Sequence, residues 1–258
     1  MMKKFIRNPI LLPAVFASAF IMPSFAEEVI DPSDLTKVYT QAAFFVTSDA
    51  DVRVSSMFTG AWTESISFAG FVEGNIGNAD KGDSDKLGLD YLGGRAQYFQ
   101  VHQLDNSLFP SVGFSTDLIH MKHPGIDDTG LLSVGAIALV NPAYTPGFMA
   151  FPNIAYTVGD VFGESADGFM LNIFATVPLG DTGAFMQIWP EYFSVSGDVV
   201  EMESKSINFM LNAPLKTNRS QWLMTKLEYN QTDTVLPNGI EVKGDGELKA
   251  EIGLKWFF

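Results

Sequence analysis

The sequence predicts a single antiparallel β-barrel that crosses a membrane, and three features of its 258 residues indicate this fold class. Hydrophobic residues make up 47% of the chain and aromatic residues 13%, although the formal net charge is −14. Beyond the N-terminal region no stretch of about 18 consecutive apolar residues occurs, which excludes a bundle of membrane-spanning helices. Several segments instead alternate apolar and polar residues, and a barrel can turn the apolar set toward lipid and the polar set inward.

The first 26 residues have the layout of a secretory signal peptide. Lys3, Lys4 and Arg7 form a basic region, and residues 10–22 are mostly apolar. The tripeptide Ser24-Phe25-Ala26 then places small residues at the two positions that a signal peptidase reads. Because the apolar stretch is shorter than the roughly 20 residues of a spanning helix, we expect cleavage after residue 26 and export.

The composition of the remaining chain excludes several classes of function. Removal of the signal peptide leaves 13 Lys and Arg residues against 30 Asp and Glu residues, a formal net charge of −17. Nucleic acids are therefore not expected partners, because they need a basic surface. The chain has no cysteine, so neither disulfides nor thiolate metal sites can form, and we expect no cofactor.

Residues 247–258 show the clearest alternation. One face of a strand here would carry Leu248, Ala250, Ile252, Leu254, Trp256 and Phe258. The opposite face would carry Glu247, Lys249, Glu251, Gly253, Lys255 and Phe257. The first set is apolar and ends in aromatic residues, as expected of a lipid face with an interfacial girdle. The second set is mostly charged and requires an interior that is wet or fully paired.

The same segment resembles the C-terminal signature of bacterial outer-membrane proteins. In that class a terminal aromatic residue follows apolar residues at every second position, as Phe258 follows Trp256, Leu254, Ile252 and Ala250 here. The resemblance implies that Ile252, Leu254, Trp256 and Phe258 form an assembly signal read by the barrel-assembly machinery. It also implies an outer-membrane location, with lipid and lipopolysaccharide as surroundings. It covers about a dozen residues and indicates no narrower family. A soluble sandwich ending on an amphipathic strand is the alternative.

We predict twelve strands within residues 37–258, with a range of ten to fourteen, each bounded by clusters of Gly, Pro, Asn or Asp. They lie at 37–47, 52–61, 64–76, 87–103, 109–121, 129–140, 147–158, 168–178, 183–196, 200–212, 221–231 and 246–258. Short turns at one end should alternate with longer loops at the other, which requires an even number. The turns are predicted at 141–146, 179–182 and 215–219, and the loops at 78–86, 123–128, 159–167 and 232–246.

The N-terminal part of this region leaves two questions open. Leu35, Val38, Tyr39 and Ala42 also have helical spacing, so a short helix is an alternative to the first strand. Residues 27–36 are too short for a domain, and they form either a periplasmic tail or a segment inside the lumen.

The polar face of each strand predicts the residues that line the barrel interior. The charged members are Glu73, Asp90, Arg95, Asp117, Glu191, Lys226, Glu228, Lys249, Glu251 and Lys255, and the uncharged ones are Gln97, Asn172, Gln187 and Asn208. A bulge at Gly93-Gly94 would let Asp90 and Arg95 share a face. The charges allow either a closed interior, in which the three lysines pair with Glu228 and Glu251, or a water-filled passage that selects solutes.

The histidines and serines support no catalytic or metal site. His120 and His123 are three residues apart and would face opposite sides of a strand, while His102 falls at the other end of the barrel. Ser115 or Ser133 could pair with His120 in a hydrolase, but no motif such as Gly-x-Ser-x-Gly accompanies them.

Three functions remain, because the fold does not choose among them. The first is a narrow channel for small solutes. The second is an autotransporter-like barrel without a passenger domain, with a structural or surface-interaction role. The third is an outer-membrane lipid hydrolase, although we do not expect an enzyme.

Overall fold

The structure, a computed structural model, describes residues 39–79 and 89–258. The predicted signal peptide, residues 27–36 and most of the predicted loop 78–86 lie outside these ranges. None of the described segments is a helix long and apolar enough to cross a membrane.

All regular elements in the described ranges are strands. They are β1 (Thr40–Thr47), β2 (Val52–Thr63), β3 (Ile66–Gly77), β4 (Asp90–Gln103), β5 (Ser111–Met121), β6 (Thr129–Leu139), β7 (Met149–Val161), β8 (Glu164–Leu179), β9 (Ala184–Ser196), β10 (Glu201–Pro214), β11 (Gln221–Val235), β12 (Glu241–Val242) and β13 (Glu247–Phe257). The β propensity of alternating apolar and polar residues therefore decides the local structure along the described chain. A short helix was the alternative to the first strand. Ala42 lies in a strand and not in a helix, while Leu35 and Val38 are outside the described ranges.

The sheet closes on itself. Each long strand pairs antiparallel with its neighbour along the chain, and β1 pairs with β13, which places Phe44 opposite Leu254. The ring is completed because β11 pairs with both β10 and β13. The two-residue β12 pairs only with the last two residues of β11 and adds no strand to the ring. Twelve strands therefore form the barrel, and the predicted count is confirmed. Closure leaves no open edge, so the backbone amides and carbonyls along the wall bond to each other in lipid.

Two ends of the barrel are distinguished by the chain path. We call the end at which β1 begins and β13 ends the lower end, and the opposite one the upper end. The connections at the lower end include the residues 64–65 turn and the predicted turns 179–182 and 215–219. The upper end carries the connections 48–51, 122–128, 162–163, 197–200 and 236–246, and β3 ends and β4 begins there.

The hairpin of β7 and β8 differs from the expectation. Residues 159–167 were predicted to be a loop, but they are strand apart from a two-residue turn at Phe162 and Gly163. Both turn residues have positive φ, 53° and 80°, the geometry of a type I′ hairpin turn. The loop prediction is wrong because Gly159, Asp160 and Asp167 suggest a turn by composition. The strands continue through them, since Val161 and Ala166 become buried in the interior.

A bulge in β4 changes which of its residues face the lumen. The register between β3 and β4 shifts beside Leu92, one residue before the predicted Gly93-Gly94 position. As a result Asp90 lies opposite Gly77 and Arg95 lies opposite Glu73, which are on the same face of β3. Asp90 and Arg95 therefore share the inner face despite their opposite parity in the sequence.

The outer face is apolar and carries an aromatic row toward the lower end. On β13, Leu248 and Ile252 are exposed while Glu251 and Lys255 are buried, so the two predicted faces are the observed ones. The aromatic row crosses β2 to β5, with ring centroids 4.7 to 6.4 Å apart, and consists of Trp62, Phe58, Phe68, Tyr98 and Phe114. Rows of this kind mark the interface between lipid and water.

Candidate functional site

Contacts between strands that are not neighbours identify the barrel interior. Arg95 on β4 reaches Glu191 on β9, and Lys255 on β13 reaches Asn212 on β10. β4 does not pair with β9, and β13 does not pair with β10. Side chains on such strands can meet only inside a closed barrel, so these residues line its lumen.

An ion pair crosses the middle of the lumen. The Arg95 Nη2 atom lies 2.5 Å from Asp117 Oδ2 and 2.7 Å from Glu191 Oε2, and Gln97 donates to the same Asp117 oxygen at 2.8 Å. Four strands separate β4 from β9 in one direction around the sheet and six in the other, so the two strands stand almost opposite each other. We call Arg95, Asp117 and Glu191 the Arg95 bridge, and it divides the lumen at this level.

A second group of charges descends from the upper end toward the Arg95 bridge. Lys249 lies 3.9 Å from Asp49, Lys226 lies 2.6 Å from Glu228 and 3.9 Å from Glu251, and Arg53 lies 2.8 Å from Glu73. Arg53 also forms an ion pair with Glu251 and stacks on the Phe45 ring. We call this group the charge ladder, and its members are Asp49, Lys249, Glu228, Lys226, Glu251, Arg53 and Glu73.

Exposure decreases along the upper part of the charge ladder, from Asp49 to Glu251. The exposed fraction of the side chain is 45% for Asp49, 30% for Lys249 and 25% for Glu228. It falls to 12% for Lys226 and 3% for Glu251. At the deepest pair of the ladder it is 7% for Arg53 and 20% for Glu73. The interior below the upper end is therefore an open vestibule that narrows as far as Glu251 and regains some exposure at Glu73.

Two of the predicted residues lie apart from these groups. Asp90 is exposed at the upper end, where its carboxylate accepts a hydrogen bond from the Ala79 amide at 3.2 Å. The closed-interior alternative paired Lys255 with an acidic residue, whereas its ammonium group contacts Asn212 Oδ1 at 3.0 Å. The pairing is wrong because Lys255 lies four residues below Glu251 on the same strand, about 13 Å away at 3.3 Å per residue.

Aromatic rings fill the lower end around Lys255. Its ammonium nitrogen lies 5.2 to 5.5 Å from three ring centroids, those of Phe257, Trp222 and Phe185. Sequence reasoning missed this cluster because it took the inner face as polar. The signal was present, since Phe257 has the same parity as Lys255 and the rings follow that alternation.

The interior is packed on one side and open on the other. Inner-face residues of β5 to β8 are buried, and their hydroxyls and amides bond to each other, as Ser115 does to Asn153 and Ser133 to Thr157 at 2.7 Å. Nearer the upper end an apolar cluster fills this side: Leu131, Ala155, Val161, Phe162, Ala166, Met170, Phe193, Val195, Val200 and Met202. Several inner-face residues of β2 to β4, such as Ser55 and Gln97, keep partial exposure, although Arg53 and Thr59 are buried. Part-exposed residues beside the Arg95 bridge therefore lie on the β2 to β4 side.

The Ser–His pairs considered for a hydrolase are not formed. Ser115 and Ser133 point into the lumen, whereas His120 is on the outer face, stacked on Tyr91 and 3.5 Å from Asp128. His123 packs against Phe162 at the upper end, where burial lowers its pKa. Across residues 39–79 and 89–258, no three His, Asp or Glu side chains are grouped to hold a metal ion.

Comparison with known proteins identifies the fold. No protein-family model and no curated protein matches the sequence. Among solved structures, the COG4313 outer membrane channel from Pseudomonas putida F1 superposes with a TM-score of 0.53 at 10% identity, covering 89% of this chain and 100% of that one. The chain has the fold of an outer-membrane β-barrel. The KdgM porin and the NanC porin give TM-scores of 0.49 and 0.48 at 9% and 10% identity, covering 86% and 84% of this chain and 99% and 98% of theirs.

Proposed function

We propose that this protein is a narrow channel for small solutes in the bacterial outer membrane. The observation that carries the proposal is the stepwise loss of exposure along the upper part of the charge ladder, from 45% at Asp49 to 3% at Glu251. Charged groups withdrawn from water are costly, and an apolar filling would stabilise a purely structural barrel at lower cost. A wet vestibule that leads to a ring of charges is how solute-selective pores are built.

The path of a solute follows the asymmetry of the lumen. A solute enters the vestibule and passes the Arg95 bridge on the side of β2 to β4. It leaves at the lower end past the part-exposed inner-face residues of the same strands, because the buried rings around Lys255 fill the side formed by β9, β11 and β13. Alternating charges along this path replace part of the hydration shell of a polar solute. The solved outer membrane channel that shares the fold supports the same class of function.

The Arg95 bridge also favours the second candidate, a barrel with a structural or surface-interaction role. A lumen crossed by an ion pair of 2.7 Å between opposite walls has little room for solutes at that level. The two functions differ in one measurable property, which is a steady ionic current.

Reconstituted protein is expected to give small, stable conductance steps in planar bilayers in potassium chloride. Replacing Ser55, which faces the open side of the lumen, with phenylalanine should reduce the step by about half, because a ring narrows a pore of this size. The neighbouring substitution Ser56→Phe is the matched control, since Ser56 faces outward and should leave the step unchanged. Absence of any stable current would exclude the channel and favour the structural role.

We further propose that Ile252, Leu254, Trp256 and Phe258 form the signal for the barrel-assembly machinery. Ile252 and Phe258 are exposed on the outer face, so a partner could read them before the barrel closes against β1. Deleting Phe258 is expected to lower the amount of protein in the outer membrane several-fold, while refolding in detergent is retained. Phe258→Tyr keeps the aromatic ring and should assemble normally. Wild-type amounts of the deletion variant in the membrane would contradict the signal.

A further inference from the structure

An open cavity of about 410 Å³ lies at the lower mouth of the barrel, on the side formed by β7, β8 and β9. Sites for small molecules have volumes of about 300–1,000 Å³ and are mostly apolar, with a few polar groups. This cavity has the same character, and we call it the mouth cavity. None of the residues that line it belongs to the Arg95 bridge or the charge ladder. Its apolar walls are formed by Pro142, Phe148, Met149, Pro178, Ala184 and Phe185.

Arg219 brings a positive charge to the mouth cavity from the turn between β10 and β11. Its guanidinium lies against Gly183 in the neighbouring turn, where an added Cβ atom would collide with Arg219 Cζ. The Arg219 backbone has a positive φ of 58°, for which glycine or asparagine is the usual residue, so the backbone gives no reason for an arginine here. Among residues 39–79 and 89–258, no carboxylate forms an ion pair with this guanidinium. Its N–H donors are therefore available to a ligand.

Two further polar groups line the mouth cavity. Asp181 is exposed two residues before Gly183, so the Cα atoms of the two residues lie within about 7.6 Å of each other. Like Arg219, it forms no ion pair with the described residues. Thr145 Oγ1 is buried without a hydrogen-bond partner in the described part of the chain, although the Thr145 backbone is bonded within its turn. A buried hydroxyl of this kind usually indicates an ordered water molecule or a ligand.

The lining thus includes one positive and one negative side chain that do not pair with each other. A simple anion or a simple cation would meet one attractive and one repulsive group. A ligand with both charges and an apolar body would satisfy the whole lining. We propose that the mouth cavity binds an α-amino acid with an apolar side chain.

Each part of such a ligand has a place in the mouth cavity. Its carboxylate accepts hydrogen bonds from the Arg219 guanidinium, whose planar fork matches a carboxylate. Its ammonium group donates to the Asp181 carboxylate, and its side chain packs against the apolar walls. The Thr145 hydroxyl can donate or accept, so it supplies one more hydrogen bond to either charged group. The site does not depend on whether the lumen conducts.

The test measures binding by calorimetry, with the protein refolded into lipid nanodiscs so that detergent does not fill the cavity. Three probes share one phenyl group. L-Phenylalanine has both charges, 3-phenylpropionate lacks the ammonium group, and phenethylamine lacks the carboxylate. L-Phenylalanine is expected to bind about tenfold more tightly than either analogue, the effect of one hydrogen bond between charged groups.

Two substitutions separate the two charges. Arg219→Gln should weaken the binding of L-phenylalanine about tenfold and abolish that of 3-phenylpropionate. Asp181→Asn should weaken the binding of L-phenylalanine about threefold, because water screens an exposed carboxylate, and it should strengthen that of 3-phenylpropionate. Lys216→Gln is the matched control, since Lys216 is in the same turn as Arg219 but does not line the cavity. It should leave all three affinities unchanged.

Several outcomes would overturn this inference. Equal affinities for the three probes would show that only the apolar walls bind, and tighter binding of 3-phenylpropionate than of L-phenylalanine would show a plain anion site. No detectable binding of L-phenylalanine at millimolar concentration would exclude the site. If Arg219→Gln does not refold, Asp181→Asn on its exposed turn still decides, because an unchanged affinity for L-phenylalanine contradicts the proposed role of its charge. None of these readouts is a current, so the channel function stands or falls separately.

Discussion

Replacing Arg95 with alanine is expected to raise the single-channel conductance about twofold or more. The Arg95 bridge is the contact that spans the lumen between β4 and β9, and its removal opens the level at which the passage is narrowest. Loss of the guanidinium also leaves Asp117 and Glu191 without their counter-ion. Because Asp117 is buried, the electrostatic effect should favour cations strongly at the same time.

The same substitution should destabilise the barrel. Breaking a buried ion pair costs about 3–5 kcal/mol, and partial exposure of the Arg95 side chain reduces the expected loss to about 2 kcal/mol. Bilayer recordings measure the conductance, and urea unfolding of protein refolded in vesicles measures the stability. Lys249→Ala is the control, because it removes a cation from the wide vestibule and should change the conductance little. Equal effects of the two substitutions would show that the Arg95 bridge does not limit flow.

Replacing Trp222 with alanine is expected to lower the free energy of unfolding by about 3–5 kcal/mol. Trp222 is completely buried at the lower end, its ring packs between Phe185 and Phe257, and its indole N–H donates to the Arg219 carbonyl at 2.5 Å. Truncation leaves a cavity that the closed wall cannot collapse around, and it removes one of the rings that surround Lys255.

Trp62→Ala is the matched control for this prediction. Trp62 is 64% exposed on the outer face, where lipid replaces much of what the substitution removes. It contacts Phe68 and donates to the Tyr98 hydroxyl at 3.3 Å, so we expect a loss of about 1 kcal/mol. Urea unfolding in lipid vesicles compares the two variants. Similar losses at both positions would contradict the view that the interior rings, and not the outer aromatic row, stabilise the lower end.

The order and position of the strands could be predicted because alternation is a local property. In β13 the apolar residues at every second position separate the two faces without knowledge of the partner strands. Turn composition placed most boundaries correctly. It failed at residues 159–167, where glycine and aspartate occur inside a hairpin. Those residues remain in strands because the barrel interior buries Val161 and Ala166, a gain that the local sequence does not reveal.

The candidate site was predictable in its members but not in its partners. The alternation of side chains along each strand placed Arg95, Asp117 and Glu191 on inner faces. Nothing in the sequence indicates that residues 95 and 191 form an ion pair. The same limit applies to Lys255, to which the closed-interior alternative gave a carboxylate partner and which has an amide and aromatic rings beside it instead.

The sequence by itself determined that this chain forms a membrane barrel with an apolar outer face and a charged inner one, since the free energy of transfer from water to lipid acts on each residue where it stands in a strand. Only the tertiary structure decided which charges meet, which side of the lumen is packed and where the passage narrows. The physical reason is closure: when β11 joins β10 and β13 joins β1, side chains from opposite walls share one small space. Their pairing there depends on the register of all twelve strands together.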